Sequence, residues 1–187
     1  MNSYEQRLER RLIEQCRTRG MLSGELLEVQ ELWTSWQSDA PAYLADSMPQ
    51  FDDYPAAAIA WAAYFGMGAA ALWDENWGRY SSAESLYELI RTPRGFDAMD
   101  EYVTEELLKM GGIESVALSD FLCSAAHTAL AMMRAEGVEN GSKEAFHLYA
   151  STVAVFFRVG VAISLQRAGY AYHKVKVDLT PSSVVSD

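Results

Sequence analysis

Apolar side chains recur along most of the chain at the three- and four-residue steps of an amphipathic helix. One such seam consists of Leu22, Leu26, Val29, Trp33 and Trp36. No stretch before residue 170 alternates apolar and polar side chains with the period of two that is typical of a strand. The pattern predicts an all-α fold, a single-domain bundle of six or seven helices over residues 1–169.

Capping residues and glycines divide this pattern into helices, because Ser or Thr favours a helix start and glycine favours a helix end. Residues 41–54 contain Pro41 and Pro49 and are predicted to form a connection, since proline removes a helical hydrogen bond. Residues 170–187 alternate with period two before Pro181, which predicts a short extended C-terminal tail. The predicted helices cover residues 3–19, 23–39, 55–77, 81–92, 95–110, 115 or 119 to 136, and 142–168.

The third and seventh predicted helices are long and apolar, and we expect them at the centre of the bundle. The third carries a ridge of small residues at i+4 spacing, which are Ala58, Ala62, Gly66 and Ala70. A mid-helix glycine costs about 1 kcal/mol relative to alanine and therefore needs a structural reason. A ridge of this kind favours close packing of two helix backbones over a pocket carved by the missing side chains.

Residues 56–73 carry no charge and must be considered as a membrane span. The stretch is at the short end of spanning length, is rich in Ala and Gly, and has acidic flanks without Lys or Arg. A helix that is apolar on all sides also suits the centre of a soluble bundle. We therefore expect a buried helix and no membrane association.

The net charge of −11 is concentrated in residues 21–157, whereas both ends are slightly basic. An acidic body repels phosphate groups, which argues against nucleic acid as a partner. Cys16 and Cys123 are far apart and belong to no metal-ligand or redox spacing, which predicts two buried thiols in a reducing compartment. The first residues form a charged helix rather than the apolar core of a signal peptide. These features predict a cytoplasmic location.

Candidate metal chemistry is limited to one pair, Glu144 and His147, at the Glu-x-x-His spacing of di-iron bundles. That site requires the motif twice with two further Glu residues, and here it occurs once. No phosphate-binding loop, nucleophile elbow or His-Glu-x-x-His is present. We expect no metal and no cofactor, and the sequence leans against an enzyme.

Two polar stripes run along the sixth and seventh helices. They could line an internal cleft in which Arg158 anchors an anionic ligand, or they could be the exposed faces of otherwise buried helices. The second interpretation is favoured, because Arg and Asp are rarely buried without a partner. The stripes comprise Asp120, Ser124, His127 and Arg134 on one helix, and Glu144, His147, Ser151 and Arg158 on the other.

An aromatic stripe at the end of the third helix places Trp73, Trp77 and Tyr80 at i, i+4 and i+7, among acidic neighbours. Such stripes usually face the core, but Trp and Tyr are also the residues most enriched at energetic anchors of interfaces. If the chain binds a partner, this cluster is the predicted contact.

The leading functional hypothesis is a non-catalytic intracellular interaction or regulatory module that forms a homo-oligomer and can also bind another protein. The alternative is a small-molecule-binding bundle or enzyme with an aromatic-lined cavity and Arg158 as its anion anchor. A metal-dependent bundle is a third, weaker possibility. The candidate binding residues are Trp73, Trp77, Tyr80, His147 and Arg158.

Overall fold

The computed structural model describes residues 3–171, and this part of the chain is a bundle of seven helices without strands. The all-α prediction is therefore confirmed. The fifth helix, α5, is irregular and joins a 3₁₀ turn (Phe96–Ala98), one α-helical turn (Met99–Glu101) and a π-helix (Tyr102–Leu107). The others are α1 (Ser3–Thr18), α2 (Gln30–Phe51), α3 (Pro55–Tyr80), α4 (Leu86–Arg91), α6 (Gly112–Ala135) and α7 (Lys143–Arg167).

Helices α3 and α7 form the centre, as the sequence predicted, and they approach each other through two glycines. A Cβ atom at Gly66 would overlap the carbonyl oxygen of Phe157, and a Cβ at Gly160 would overlap that of Ala63. Each helix therefore presents a bare backbone to the other at the crossing point. The small ridge has the packing role that was favoured for it, because all four of its residues are buried.

Aromatic rings fill the space on either side of this contact. Phe157 of α7 lies between Trp36 of α2 and Phe65 of α3, with ring centroids 4.7 Å and 5.0 Å away. Tyr43 of α2 packs on Phe65 and donates a 2.6 Å hydrogen bond from its hydroxyl to the Ala58 carbonyl. Burial raises the pKa of Tyr43 well above its usual value, so this hydroxyl stays protonated and can donate.

The predicted boundaries of the second helix are wrong. Residues 22–29 are not helical, and α2 continues through both Pro41 and Pro49 to Phe51. Both prolines are exposed, whereas Trp36 and Tyr43 on the other side of the helix are buried. Burial of this inner face outweighs the loss of the hydrogen bonds that the prolines cannot donate.

The other helix ends agree more closely with the sequence pattern. Ser142 caps α7 by accepting a 3.0 Å hydrogen bond from the Ala145 amide, and Gly169 follows that helix with a φ of +95°. Helix α6 begins a few residues earlier than predicted. Helix α4 begins later, because its cap is Ser85, which accepts from the Glu88 amide, rather than Ser81.

The predictions for the cysteines and the tail have different outcomes. Cys16 is buried, but Cys123 is exposed, so the prediction for the second thiol is wrong. Cys123 lies on the side of α6 that faces away from the bundle. Most of the predicted tail, residues 172–187, lies outside the described residues.

Gly66→Ala should destabilise the fold by about 1–3 kcal/mol, because the added methyl group would meet backbone atoms that cannot move aside. Gly68→Ala should cost less, since its Cβ would lie 3.0 Å from Cγ2 of Val103, a side-chain atom that can shift. Gly78→Ala is the control on the same helix, because its Cβ would make only an ordinary contact. Urea unfolding gives the free energy of unfolding of the wild type and the three variants. Equal stabilities of the three variants would contradict a backbone contact between α3 and α7.

Candidate functional site

Three helices, α3, α6 and α7, are long and apolar enough to cross a membrane by length and composition alone. In the bundle, 72% of the apolar stretch of α3 and 72% of that of α7 are buried by other helices. The corresponding fraction for α6 is 39%. Helix α6 therefore combines a strongly apolar composition with a largely uncovered surface.

The inner side of α6 is held on the bundle in the ordinary way. Phe121, Leu122, Ala125 and Ala129 are buried within the core. At the edge of this contact, Gln15 of α1 donates a 3.0 Å hydrogen bond from Nε2 to the Thr128 hydroxyl. These contacts fix which side of α6 points outwards.

The opposite side, which we call the outer face of α6, is exposed along the whole helix. Charged side chains are sparse on it, and Ile113 remains 91% exposed. The polar stripe predicted for this helix is thus a surface stripe rather than the wall of a cleft. The outer face comprises Ile113, Val116, Ala117, Asp120, Cys123, Ser124, His127, Ala131 and Arg134.

The stripe predicted on α7 is divided between two environments. Glu144 and His147 are exposed, and the His147 ring lies against Phe146 at a centroid distance of 5.8 Å. Arg158 is eleven residues further along, about 16 Å on an α-helix, and its side chain is only 19% exposed. His147 and Arg158 therefore do not form one site.

Arg158 lies among carboxylates from two other segments. It forms ion pairs with Glu9 of α1 and with Glu28, which precedes α2. Its Nε donates to the Glu28 carboxylate at 2.9 Å, and its guanidinium carbon lies 6.0 Å from the centroid of the Trp33 ring. An anion bound at Arg158 would have to compete with these carboxylates, so the geometry adds no support for the predicted anion anchor.

An aromatic-walled groove of about 460 Å³ opens beside Arg158. Trp33 and Phe157 form part of its wall, together with aliphatic residues of α7 and of the segment before α2. The groove has the aromatic lining that the small-molecule hypothesis requires. Glu5 and Glu28 also line it, so its surroundings are acidic rather than basic.

The aromatic stripe at the end of α3 does not have the predicted geometry. Asn76, with φ −167° and ψ 84°, interrupts the helix between Trp73 and Trp77. Trp73, Trp77 and Tyr80 are each half-buried and pack against the core, which is the orientation that was favoured for them, but they do not lie on one uninterrupted helix. A partner contact at these residues stays a prediction.

Trp73 also contacts the last described part of the chain. Its ring meets that of Tyr170 edge-on at 5.8 Å, and the Tyr170 hydroxyl donates a 2.7 Å hydrogen bond to Asp74. These contacts hold the segment after α7 against the end of α3. They help to explain why the aromatic cluster is only partly accessible.

Within residues 3–171, no group of three His, Cys, Asp or Glu side chains is arranged to hold a metal ion. Comparison with protein-family models, curated proteins and solved structures found no match for the chain. Two features of the molecule itself bear on its function, namely the outer face of α6 and the groove beside Arg158.

Arg158→Met should lower the free energy of unfolding by about 1–3 kcal/mol, because it leaves the Glu9 carboxylate poorly solvated and without its guanidinium partner. The Glu9 side chain is only 17% exposed. The double variant with Glu9→Met should regain much of this loss, since it removes both members of the pair. Urea unfolding of the wild type, both single variants and the double variant tests this expectation. Additive losses would show that Glu9 and Arg158 are not coupled.

Proposed function

We propose that the chain is a non-catalytic helical interaction module that self-associates through the outer face of α6. The observation that carries this proposal is the low burial of α6 compared with the other two apolar helices. Exposed apolar side chains such as Ile113 and Val116 favour association, because burying them removes hydrocarbon from water. Self-association is the commonest way in which a soluble chain covers such a face.

A protein partner fits the outer face better than lipid does. Asp120 and His127 lie in the middle of the helix rather than at its ends, whereas Arg134 lies in the last turn. Each charged side chain held near the centre of a bilayer costs about 2.5–3.5 kcal/mol or more. A facing protein surface can pair such groups, whereas hydrocarbon cannot. The cytoplasmic location and the absence of membrane and nucleic-acid partners remain predictions from the sequence.

Ala131→Arg should raise the dissociation constant of the self-associated form at least about tenfold, because it places a long charged side chain where the outer face presents a small residue. Ala45→Arg is the matched control, since it makes the same change at an exposed position of α2. Sedimentation equilibrium measures association, and circular dichroism checks the fold.

A mass of 20.8 kDa for the wild type throughout the micromolar range would overturn self-association. In a vesicle flotation experiment, lipid would be the partner of this face if the wild-type protein floated with phospholipid vesicles and the Ala131→Arg variant did not.

A second candidate function is the binding of an apolar or aromatic small molecule in the groove beside Arg158. The specific observation in its favour is a volume of about 460 Å³ next to Trp33 and Phe157. This volume falls within the common range for ligand pockets, and such pockets are usually lined by aromatic side chains. The acidic surroundings favour a neutral or cationic ligand over the anion predicted from the sequence.

Ala154→Trp should abolish small-molecule binding, because Ala154 lines the groove and an indole there would occupy much of its volume. Ala45→Trp is the control on an exposed helical surface. Native mass spectrometry of protein purified from its own host should show an added mass on the wild type and the control but not on Ala154→Trp. The bare chain mass in all three samples would contradict a resident ligand.

A further inference from the structure

The residues on the outer face of α6 are spaced in nearly the same way in both directions along the helix. Its central positions follow one another at alternating steps of four and three residues, so reversing the helix about Ser124 superimposes the face on itself to within one residue. A contact in which both copies use the same patch in opposite directions requires this property. The central positions are Ile113, Ala117, Asp120, Ser124, His127, Ala131 and Arg134.

Chemical complementarity accompanies the symmetric spacing. In the reversed arrangement the acidic Asp120 falls opposite the basic His127 of the second copy, and the same pair forms again on the other side of the axis. Ala117 falls opposite Ala131 of the second copy, and Ser124 opposite its own equivalent. The aliphatic part of Arg134 can cover Ile113, while its guanidinium stays in water.

Small residues allow the two helices to approach closely along this line. Ala117, Ser124 and Ala131 recur every seven residues, which is the repeat that keeps a seam in register between two slightly supercoiled helices. With small side chains at these positions, helix axes can lie near the lower end of the usual 8–10 Å range. All three residues are exposed in the single chain, so nothing in residues 3–171 covers them.

We infer that two copies of this chain pair through antiparallel α6 helices, with the two-fold axis beside Ser124 and two reciprocal Asp120–His127 contacts. A parallel pair would place Asp120 against Asp120 of the second copy and His127 against His127, and it would align the two helix dipoles unfavourably. The inference rests on the proposed self-association and specifies its geometry.

Chemical cross-linking tests the relative direction and the register of the two α6 helices directly. In a Cys123→Ser background, Ser124→Cys should be cross-linked to its equivalent by bismaleimidoethane, because both lie at the axis. Arg134→Cys should not be, since two copies of position 134 would be about 31 Å apart along antiparallel helices. A mixture of Ile113→Cys and Arg134→Cys chains should form the mixed cross-link. Cys123→Ser alone is the control, because the remaining Cys16 is buried.

A charge exchange tests the central contact independently of any cross-linker. Asp120→Arg and His127→Glu should each raise the dimer dissociation constant about fivefold or more, and the double variant should return it close to the wild-type value. The two residues are seven positions apart on one helix, so they cannot rescue each other within a chain. Rescue therefore requires that position 120 faces position 127 of another copy.

The two levels of the proposal fail in different ways. A wild-type chain that stays monomeric overturns self-association itself. A dimer that cross-links at position 134, as a parallel pair would, or in which the two charge changes weaken association additively, overturns the antiparallel pairing and leaves self-association standing.

Discussion

The close approach of α3 and α7, at Gly66 of one helix and Gly160 of the other, determines how the rest of the bundle can be built. With a backbone carbonyl lying against each glycine, the two central helices are closer than side chains would allow, and no residue larger than glycine fits at either position. The crossing also fixes the positions of Phe65 and Phe157, which support Trp36 and Tyr43 from α2. Helices α1, α2 and α6 then pack around this pair, and each needs only one apolar side to do so.

Two groups of polar contacts connect α1 and the segment before α2 to α7. Tyr4 of α1 shares a 2.8 Å hydrogen bond with Thr152, and burial raises the pKa of Tyr4 to about 12. Further along α7, Arg158 links Glu9 of α1 to Glu28 in the segment before α2. Tyr4 and Thr152 hydrogen-bond each other, and the charges of Arg158, Glu9 and Glu28 compensate one another. Such an arrangement is typical of a structural link between helices.

The sequence predicted what depends on local pattern and missed what depends on neighbours in space. The ends of α7 follow from Ser142 and Gly169, because capping involves only nearby residues, and the small ridge of α3 correctly indicated close packing. The path of α2 through Pro41 and Pro49 could not be predicted, since the local cost of proline is offset by burial of Tyr43 against α3. The charge balance around Arg158 was missed for the same reason: Glu9 and Glu28 are more than a hundred residues away along the chain.

The outer face of α6 shows how one pattern can have two meanings until its surroundings are known. Asp120, Ser124, His127 and Arg134 form a stripe in the sequence, and their spacing alone is compatible with a cleft, a solvated surface or an interface. The structure excludes the cleft, because these residues are exposed.

The size and charge of the residues on this face are unusual for a surface that only contacts water. Such a surface does not require small residues every seven positions, since long charged side chains solvate a helix at least as well. The whole chain has a net charge of −11, so two copies repel each other over most of their surfaces. The outer face of α6 carries few charges and has both signs, so two copies can meet there with little local repulsion. Spacing, size and charge are therefore consistent with one another on this face, and each of them favours a second copy over solvent.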